Sequence, residues 1–282
     1  LQGLGPEAGA ALVAHKGIRR ISFTGSPPTA RLIGAAAAAH LTPVSFELGG
    51  KSPLIVCDDA DLELAVATAA GQYDNAGQVC LAGTRLLVDA AVYDEFSAQL
   101  VAKIAALRQG DPREPATQVG PLIHPKHLAR VAGYVERAVA GGARVICGGR
   151  VSPTLGGLYY EPTLLVDVPP GAEILREEVF GPVLTLQKVA GDAEAIALAN
   201  DTDYGLAGVV FTRDQARADR ISEALVAGTV WVNCFFVRDL SAPFGGARQS
   251  GIGREGGHWS FDFYCDVKNI VHRKGTFTGA HD

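Results

Sequence analysis

Apolar residues recur along the chain with two alternating periods. From Leu62 to Tyr73 they are three or four positions apart, which predicts a helix whose start Asp58, Asp59 or Asp61 can cap. The same spacing predicts two more helices, over Phe96 to Leu107 and over Leu128 to Val139, the second ending at Gly141-Gly142.

Short β-branched or apolar runs lie between these helices. They predict strands at 20–23, 54–56, 86–88, 145–147, 183–186, 209–211 and 230–232. Strands that alternate with helices of about a dozen residues are typical of βαβ units. The pattern therefore predicts an α/β fold with a largely parallel sheet.

The last part of the chain departs from this alternation. Residues 261–273 alternate roughly with period two and have no helix after them. A terminal strand of this kind needs a sheet edge, in its own subunit or in a partner. We expect it to be a strand that joins subunits.

Composition narrows the function classes. A net charge of −5 leaves no broad basic surface for nucleic acid, and no apolar run approaches the roughly 18 residues of a membrane span. The five cysteines are an odd number and widely spaced, which fits free thiols in the cytoplasm. The closest approach to a metal motif is His124 and His127 without a partner cluster, so we expect no metal site.

The candidate nucleophile is Cys80, at the end of the segment 75–80 directly after the first predicted helix. A turn at Gly77 can hold the sulfur in a cleft, with the Cys80 amide facing a developing oxyanion. The alternative for Cys80 is a buried free thiol, and that is our interpretation of the other four cysteines.

The candidate base is Glu47, which follows the apolar residues Val44 and Phe46 and precedes two glycines. A carboxylate at a strand end among apolar neighbours should have a raised pKa, which suits a base acting on water near neutral pH. Taken alone, Glu47 fits a surface carboxylate better than a base, and its significance comes from the other motifs.

Together with these segments, further motifs resemble the NAD(P)-dependent aldehyde dehydrogenase superfamily. The similar blocks occur in the family's order and run over 23–26, 46–53, 77–80, 178–183, 243–246 and 250–255. A G-x-G-x-x-G match at 251–256 has no strand leading into it, so a Rossmann phosphate loop is not expected there. One departure is Ala30, where most relatives have a second glycine.

The resemblance implies roles in catalysis. Cys80 would add to the aldehyde carbonyl and form a hemithioacetal, then a thioester, and Glu47 would activate the water that hydrolyses it. Glu255 would help relay protons towards Glu47, and Phe244 would line the aldehyde channel. The product would be a free carboxylic acid.

The resemblance also implies a cofactor site for NAD, with NADP left open. Backbone N–H groups at Gly25 and Ser26, between a strand and a helix start, would meet the pyrophosphate. Glu178 would hold the nicotinamide ribose, and Leu48 and Phe180 would complete the site.

The segment 233–240 is similar to the corresponding loop of 2-hydroxymuconic and 2-aminomuconic semialdehyde dehydrogenases. Arg238 in this loop could pair with a remote carboxylate of the substrate, or it could form an ion pair with Asp239 or another local acid. Both alternatives are open, and so is the identity of the aldehyde.

Family members carry a region before the point matching Leu1, with further cofactor contacts and an oxyanion donor. We therefore expect the 282 residues alone to bind NAD poorly and to have little dehydrogenase activity. The expected units are a partial cofactor domain at 1–48, a catalytic domain at 49–248 and a C-terminal return with an oligomerisation strand at 249–282. We expect a homodimer or homotetramer; the alternative is an inactive fold that acts only as an oligomerisation or interaction partner.

Overall fold

A computed structural model describes residues 1–275 of the chain. The helices are α1 (Ala10–Val13), α2 (Pro27–Ala38), α3 (Leu62–Gly71), α4 (Tyr93–Ala105), α5 (Pro125–Ala140), α6 (Glu173–Arg176), α7 (Asp192–Asn200), α8 (Gln215–Ala224) and α9 (Gly257–Tyr264). The strands are β1 (Ile21–Thr24), β2 (Val44–Glu47), β3 (Pro53–Val56), β4 (Arg85–Asp89), β5 (Arg144–Cys147), β6 (Thr163–Val166), β7 (Val183–Val189), β8 (Ala207–Phe211), β9 (Thr229–Val232) and β10 (Gly251–Ile252). A π-helical turn at Gly5–Gly9 precedes α1, and short 3₁₀ turns lie at Asp74–Gly77 and Arg248–Ser250.

The strands form two sheets. Seven strands lie in the order β5-β6-β7-β4-β3-β8-β9, all parallel except β5, which runs antiparallel to β6. The smaller sheet has the order β1-β2-β10, with β1 and β2 parallel and β10 antiparallel to β2. The predicted α/β fold with a largely parallel sheet is confirmed.

The inner strands of the large sheet are buried because their side chains are apolar on both faces. All four residues of β3 and all five of β8 are buried, as expected for strands covered by helices on both sides. The large core lies between the seven-stranded sheet and α3, α4 and α5, while Ala30, Phe46 and Leu48 form a separate small cluster against the three-stranded sheet.

Helix starts follow local capping chemistry. The Asp61 carboxylate accepts a hydrogen bond from Leu64 N, which confirms it as the cap of α3. Asp59 instead binds Thr212, across the sheet. Two prolines occupy the first turn of α2, where the missing N–H groups cost no helical hydrogen bond.

The end of the chain differs from the prediction. We expected a strand from Phe261, but residues 257–264 form α9 and no strand is assigned between 265 and 275. Aromatic residues at 259, 261, 263 and 264 follow helical spacing as well as alternation, so period two alone did not identify a strand. Residues 276–282 of the predicted C-terminal unit lie outside the described residues.

The predicted unit boundaries fall at informative places in the topology. The boundary at 48 separates β2 from β3, which belong to different sheets. The boundary at 249 falls in the turn before β10, and β10 returns to the first sheet. The boundaries themselves stay a prediction.

The cysteines are all free thiols in the described structure. Cys57 is buried, and Cys80, Cys147 and Cys234 are half-buried. Cys265 is exposed, so the interpretation of that residue as a buried thiol is wrong. It directly follows α9, which buries none of its residues.

Candidate active site

One cavity of about 640 Å³ lies between the two sheets. It contains every residue predicted for the site: Gly25, Ser26, Glu47, Leu48, Cys80, Glu178, Phe180, Arg238, Phe244 and Glu255. These residues come from segments scattered over more than 200 positions of the chain. The fold therefore brings together the residues that the sequence suggested separately.

The loop that carries Cys80 has an unusual backbone. Asn75, Ala76 and Gly77 all have positive φ, at 51°, 54° and 68°. Left-handed conformations are costly for residues with a Cβ, and they persist where surrounding structure determines them. Here the Asn75 side chain donates to Gln78 O, and the Gln78 side chain donates back to Asn75 O.

The Cys80 thiol lies in a partly desolvated position. Burial raises its pKa, the nearby Glu178 and Glu47 carboxylates raise it further, and the backbone amides of Cys80 and Leu81 oppose the rise. The raised pKa favours the protonated thiol, so nucleophilic attack requires removal of its proton.

Glu47 is the last residue of β2 and lines the same cavity. Burial raises the pKa of Glu47 to about 7, the Glu255 carboxylate raises it too, and Arg254 and Arg238 oppose the rise. Among the residues that the structure describes, neither Glu47 oxygen has a hydrogen-bond partner. A buried carboxylate without protein donors is free to bind a water molecule or a thiol.

A backbone pairing with Phe244 holds Glu255 in the wall of the cavity, near Glu47. Each residue donates its N–H to the carbonyl of the other, at 2.8 Å and 2.7 Å, which fixes both on the cavity wall. The Glu255 side chain accepts a hydrogen bond of 3.1 Å from Ser22 Oγ in β1.

The segment from Glu178 to Phe180 forms another wall. Glu178 Oε1 accepts a hydrogen bond of 3.2 Å from Gly50 N, and a Cβ at Gly49 would overlap the Glu178 carboxylate. The Gly49-Gly50 pair therefore allows the carboxylate to lie against the backbone.

Arg238 extends over aromatic rings. Its guanidinium carbon is 4.5 Å from the centroid of Phe244 and 6.0 Å from that of Phe236. The predicted alternative, an ion pair of Arg238 with Asp239 or another nearby acid, does not occur among residues 1–275, where Asp239 accepts hydrogen bonds from Ser241 N and Oγ. Within this part of the chain Arg238 lines the cavity without a salt-bridge partner, and its charge opposes the rise in the pKa of Glu47.

At the start of α2, one expectation needs correction. The Gly25 N–H donates to Glu47 O at 3.0 Å, so it is engaged in the sheet rather than available to a phosphate. Pro27 and Pro28 have no N–H, so the polar groups of this turn are the hydroxyls of Ser26 and Thr29, which lie 3.1 Å apart. Gly25 remains sterically important, because a Cβ there would overlap the Phe23 ring.

Four polar residues of the cavity were not predicted from the sequence: Thr24, Gln78, His127 and Arg130. His127 lies one helical turn before Arg130, so the spacing indicates that they share a face of α5 but does not indicate what that face contacts. Gln78 lies within the block that contains Cys80, but nothing in the sequence distinguished it from a surface glutamine.

No group of three or more potential metal ligands occurs within residues 1–275. His124 Nδ1 accepts a hydrogen bond from Lys126 N at the start of α5, and His127 binds the backbone of Phe180. Within the same part of the chain, no helix is long and apolar enough to cross a membrane.

The model of the aldehyde dehydrogenase family matches residues 1–270, and the chain belongs to this family. It is 45% identical over 271 residues to a betaine aldehyde dehydrogenase of Cereibacter sphaeroides, covering 96% of the chain and 56% of that relative. It is 42% identical over 276 residues to the 2-aminomuconic semialdehyde dehydrogenase of Danio rerio, covering 95% and 57%.

A solved structure of betaine aldehyde dehydrogenase from Staphylococcus aureus, in complex with NAD+, superposes with a TM-score of 0.90 at 41% identity. The match covers 93% of this chain and 53% of the solved one. The chain thus spans little more than half the length of these relatives.

Proposed function

We propose that this chain supplies the nucleophile and the base of an NAD(P)-dependent oxidation of an aldehyde to a carboxylic acid. The observation that carries the proposal is that Cys80 and Glu47 line one cavity and that neither Glu47 oxygen has a hydrogen-bond partner among the described residues. Membership of the aldehyde dehydrogenase family supports the reaction class.

In the first step, Cys80 Sγ forms a bond to the aldehyde carbon, and the carbonyl oxygen becomes an oxyanion. The thiol proton leaves before or during this attack, and Glu47, with its pKa raised to about 7, is the base that faces the cavity. The Cys80 backbone N–H, which opposes the rise in the thiol pKa, would donate to the oxyanion.

In the second step, the hemithioacetal carbon loses a hydride, for which a bound nicotinamide would be the acceptor, and a thioester is left on Cys80. Glu47 releases the thiol proton towards Glu255 and solvent before hydrolysis, so that it is again a carboxylate. A water molecule on Glu47 then adds to the thioester carbon while the carboxylate takes its proton. Cleavage of the C–S bond releases the carboxylic acid and returns the thiolate. Glu255 lies near Glu47 and accepts a hydrogen bond from Ser22. It would take the proton from Glu47 and release it to solvent.

The cavity fits a nicotinamide dinucleotide, which when bound would accept the hydride. Gly25 and Gly49 keep the wall free of side chains, and Ser26 offers a hydroxyl beside the start of α2. Glu178, held by Gly50, offers its second carboxylate oxygen to a ribose hydroxyl, with Leu48 and Phe180 beside it. NAD is the proposed cofactor, and NADP fits the same residues.

We propose a substrate with a carboxylate remote from the aldehyde. Arg238 lies on the cavity wall over Phe244 and forms no ion pair among the described residues, so a bound anion would be its charge partner. The same guanidinium would repel a trimethylammonium group. The similarity to a 2-aminomuconic semialdehyde dehydrogenase agrees with this substrate class.

An activated ester tests the nucleophile and the base without hydride transfer. The Cys80 thiolate displaces p-nitrophenolate from p-nitrophenyl acetate, giving the acetyl thioester, and Glu47-bound water hydrolyses it. We expect Cys80→Ser to abolish turnover. Glu47→Gln, which loses the base for both the thiol and the water, should release at most one equivalent of p-nitrophenolate, more slowly than the unaltered protein, and should accumulate the acetyl protein in mass spectra. Cys147→Ser is the matched control.

Equal turnover in Cys80→Ser and Cys147→Ser would refute the proposed nucleophile. Rapid deacylation in Glu47→Gln would refute the proposed base. The expectation that the 282 residues alone have little dehydrogenase activity stays a prediction, checked by reduced-nicotinamide absorbance with aldehyde and NAD.

We further propose that the chain assembles with copies of itself through its C-terminal segment and works in a reducing compartment such as the cytoplasm. Val267 and Val271 are 95% and 82% exposed, and Ile270 lies between them. Apolar side chains this exposed are typical of a covered interface. Ile270→Asp should lower the molar mass measured by light scattering, whereas Leu155→Asp, at another exposed site, should leave it unchanged.

A further inference from the structure

One face of α5 is directed at the wall of the candidate active site. His127, Arg130 and Val131 are three and four positions apart, so they lie on the same side of the helix. All three contact the segment 178–181, which carries Glu178.

His127 holds the carbonyl of Phe180. Its Nε2 is 2.6 Å from Phe180 O, and because a carbonyl only accepts, the ring donates from Nε2. The two rings also meet edge to face with centroids 5.9 Å apart. Phe180 has φ of 56°, a left-handed conformation that a bulky residue adopts only when its surroundings hold it there.

Arg130 and Val131 hold the same segment at two further points. The Arg130 guanidinium donates to Glu178 O at 2.8 Å, and it lies over the Tyr134 ring, with 5.5 Å to the centroid. Val131 packs so closely on Gly181 that a Cβ there would lie 2.6 Å from Val131 Cγ2. Two hydrogen bonds and one packing contact thus fix four consecutive residues.

The segment 178–181 in turn packs against the loop of Cys80. A Cβ at Gly77 would overlap Gly181 O, so the two backbones are in direct contact. Ile123, two residues before α5, also contacts the Cys80 loop: its N–H donates to Gln78 Oε1 at 2.9 Å. The N-terminal end of α5 therefore contacts both loops.

We propose that His127 and Arg130 are positioning residues that set the distance between Glu178 and Cys80. His127 holds the strained Phe180 and Arg130 holds Glu178. The position of this segment then determines that of the Cys80 loop, because Gly181 contacts Gly77. The inference rests on the proposed function for the roles of Glu178 and Cys80. The geometric part, that α5 holds the segment in place, stands independently of it.

Hydrogen–deuterium exchange of peptides covering 177–183 tests the geometric part without any activity. We expect His127→Ala and Arg130→Met each to accelerate exchange there roughly three- to tenfold, the effect of losing one hydrogen bond. His127→Gln, whose amide nitrogen can replace Nε2 as donor, should exchange like the unaltered protein. Lys126→Ala, an exposed neighbour on the same helix, is the matched control.

Unchanged exchange in both His127→Ala and Arg130→Met, with a native circular dichroism spectrum, would overturn the inference. So would a His127→Gln variant that behaves like His127→Ala. If His127→Ala does not fold, Arg130→Met decides the question alone.

Steady-state kinetics of the dehydrogenase reaction give the functional readout. A positioning role predicts that His127→Ala raises the KM for NAD roughly tenfold and that His127→Gln restores it, with a smaller change in kcat. Ester hydrolysis that does not depend on Cys80 and Glu47 would refute the proposed function while leaving the exchange result to decide the inference. Equal loss of kcat in His127→Ala and His127→Gln would refute positioning through the Phe180 carbonyl.

Discussion

The Arg238 guanidinium lies over the Phe244 ring, with 4.5 Å between the guanidinium carbon and the ring centroid. This cation–π contact holds the charge at the cavity wall without neutralising it. The Phe244 ring thus orients the Arg238 guanidinium without a carboxylate partner among the described residues.

The first prediction concerns substrate charge. Arg238→Ala should raise the KM for an aldehyde with a remote carboxylate by roughly 10- to 100-fold, the value of one charge-assisted pair, and should change the KM for a neutral aldehyde of equal length little. Arg238→Lys keeps the charge but not the planar stacking, and we expect partial recovery. Equal losses on both aldehydes would contradict the substrate assignment.

The second prediction follows from the raised pKa of Glu47. As an acid, Glu47 is deprotonated above about pH 7 and neutral below it, so hydrolysis of the acyl protein should rise with pH through about 7 and then level off. Stopped-flow deacylation rates between pH 5 and 9 measure this. A flat profile, or one that persists in Glu47→Gln, would show that another group activates the water.

The same shift predicts a pH-dependent change in stability. Because the folded-state pKa of Glu47 is raised, the folded protein binds the proton more tightly, and stability falls as pH rises from about 4.5 through 7. Glu47→Gln removes that penalty, so it should unfold like the unaltered protein at pH 4.5 and be more stable at pH 8, by about 1–3 kcal/mol. Thermal unfolding at both pH values checks the difference.

The fourth prediction separates backbone strain from steric contact at the Cys80 loop. Gly77 and Gly171 both have positive φ, at 68° and 80°, but only Gly77 faces a neighbouring backbone, that of Gly181. Gly171→Ala should cost about 1–2 kcal/mol of unfolding free energy, the strain of a left-handed alanine. Gly77→Ala should cost clearly more and should also slow ester hydrolysis; equal costs would contradict the packing.

The sequence predicted the parallel sheet because its strands are continuous apolar runs, as in β3 and β8, which are buried on both faces. It predicted the candidate site residues because they lie in motifs with a recognisable order. It did not predict that the Gly25 N–H is used within the sheet, since that depends on the register of β1 against β2.

Other differences have physical causes of the same kind. The aromatic residues around Phe261 fit both the helical and the strand periodicity. The spacing alone could therefore not predict that this segment is a helix. His127 and Arg130 were missed because their role depends on the segment that α5 packs against, about 50 positions further along the chain.

The pairing of β10 with β2 has a consequence for biosynthesis. Glu47 lies opposite Gly251 in this register, about 200 residues away in the chain. A ribosome therefore adds about 200 further residues after Glu47 before the surroundings that raise its pKa can assemble. A nascent chain that ends between Cys80 and Gly251 therefore has the thiol but not the surroundings that make Glu47 a base. Such a chain has no complete site for hydrolysis during its synthesis.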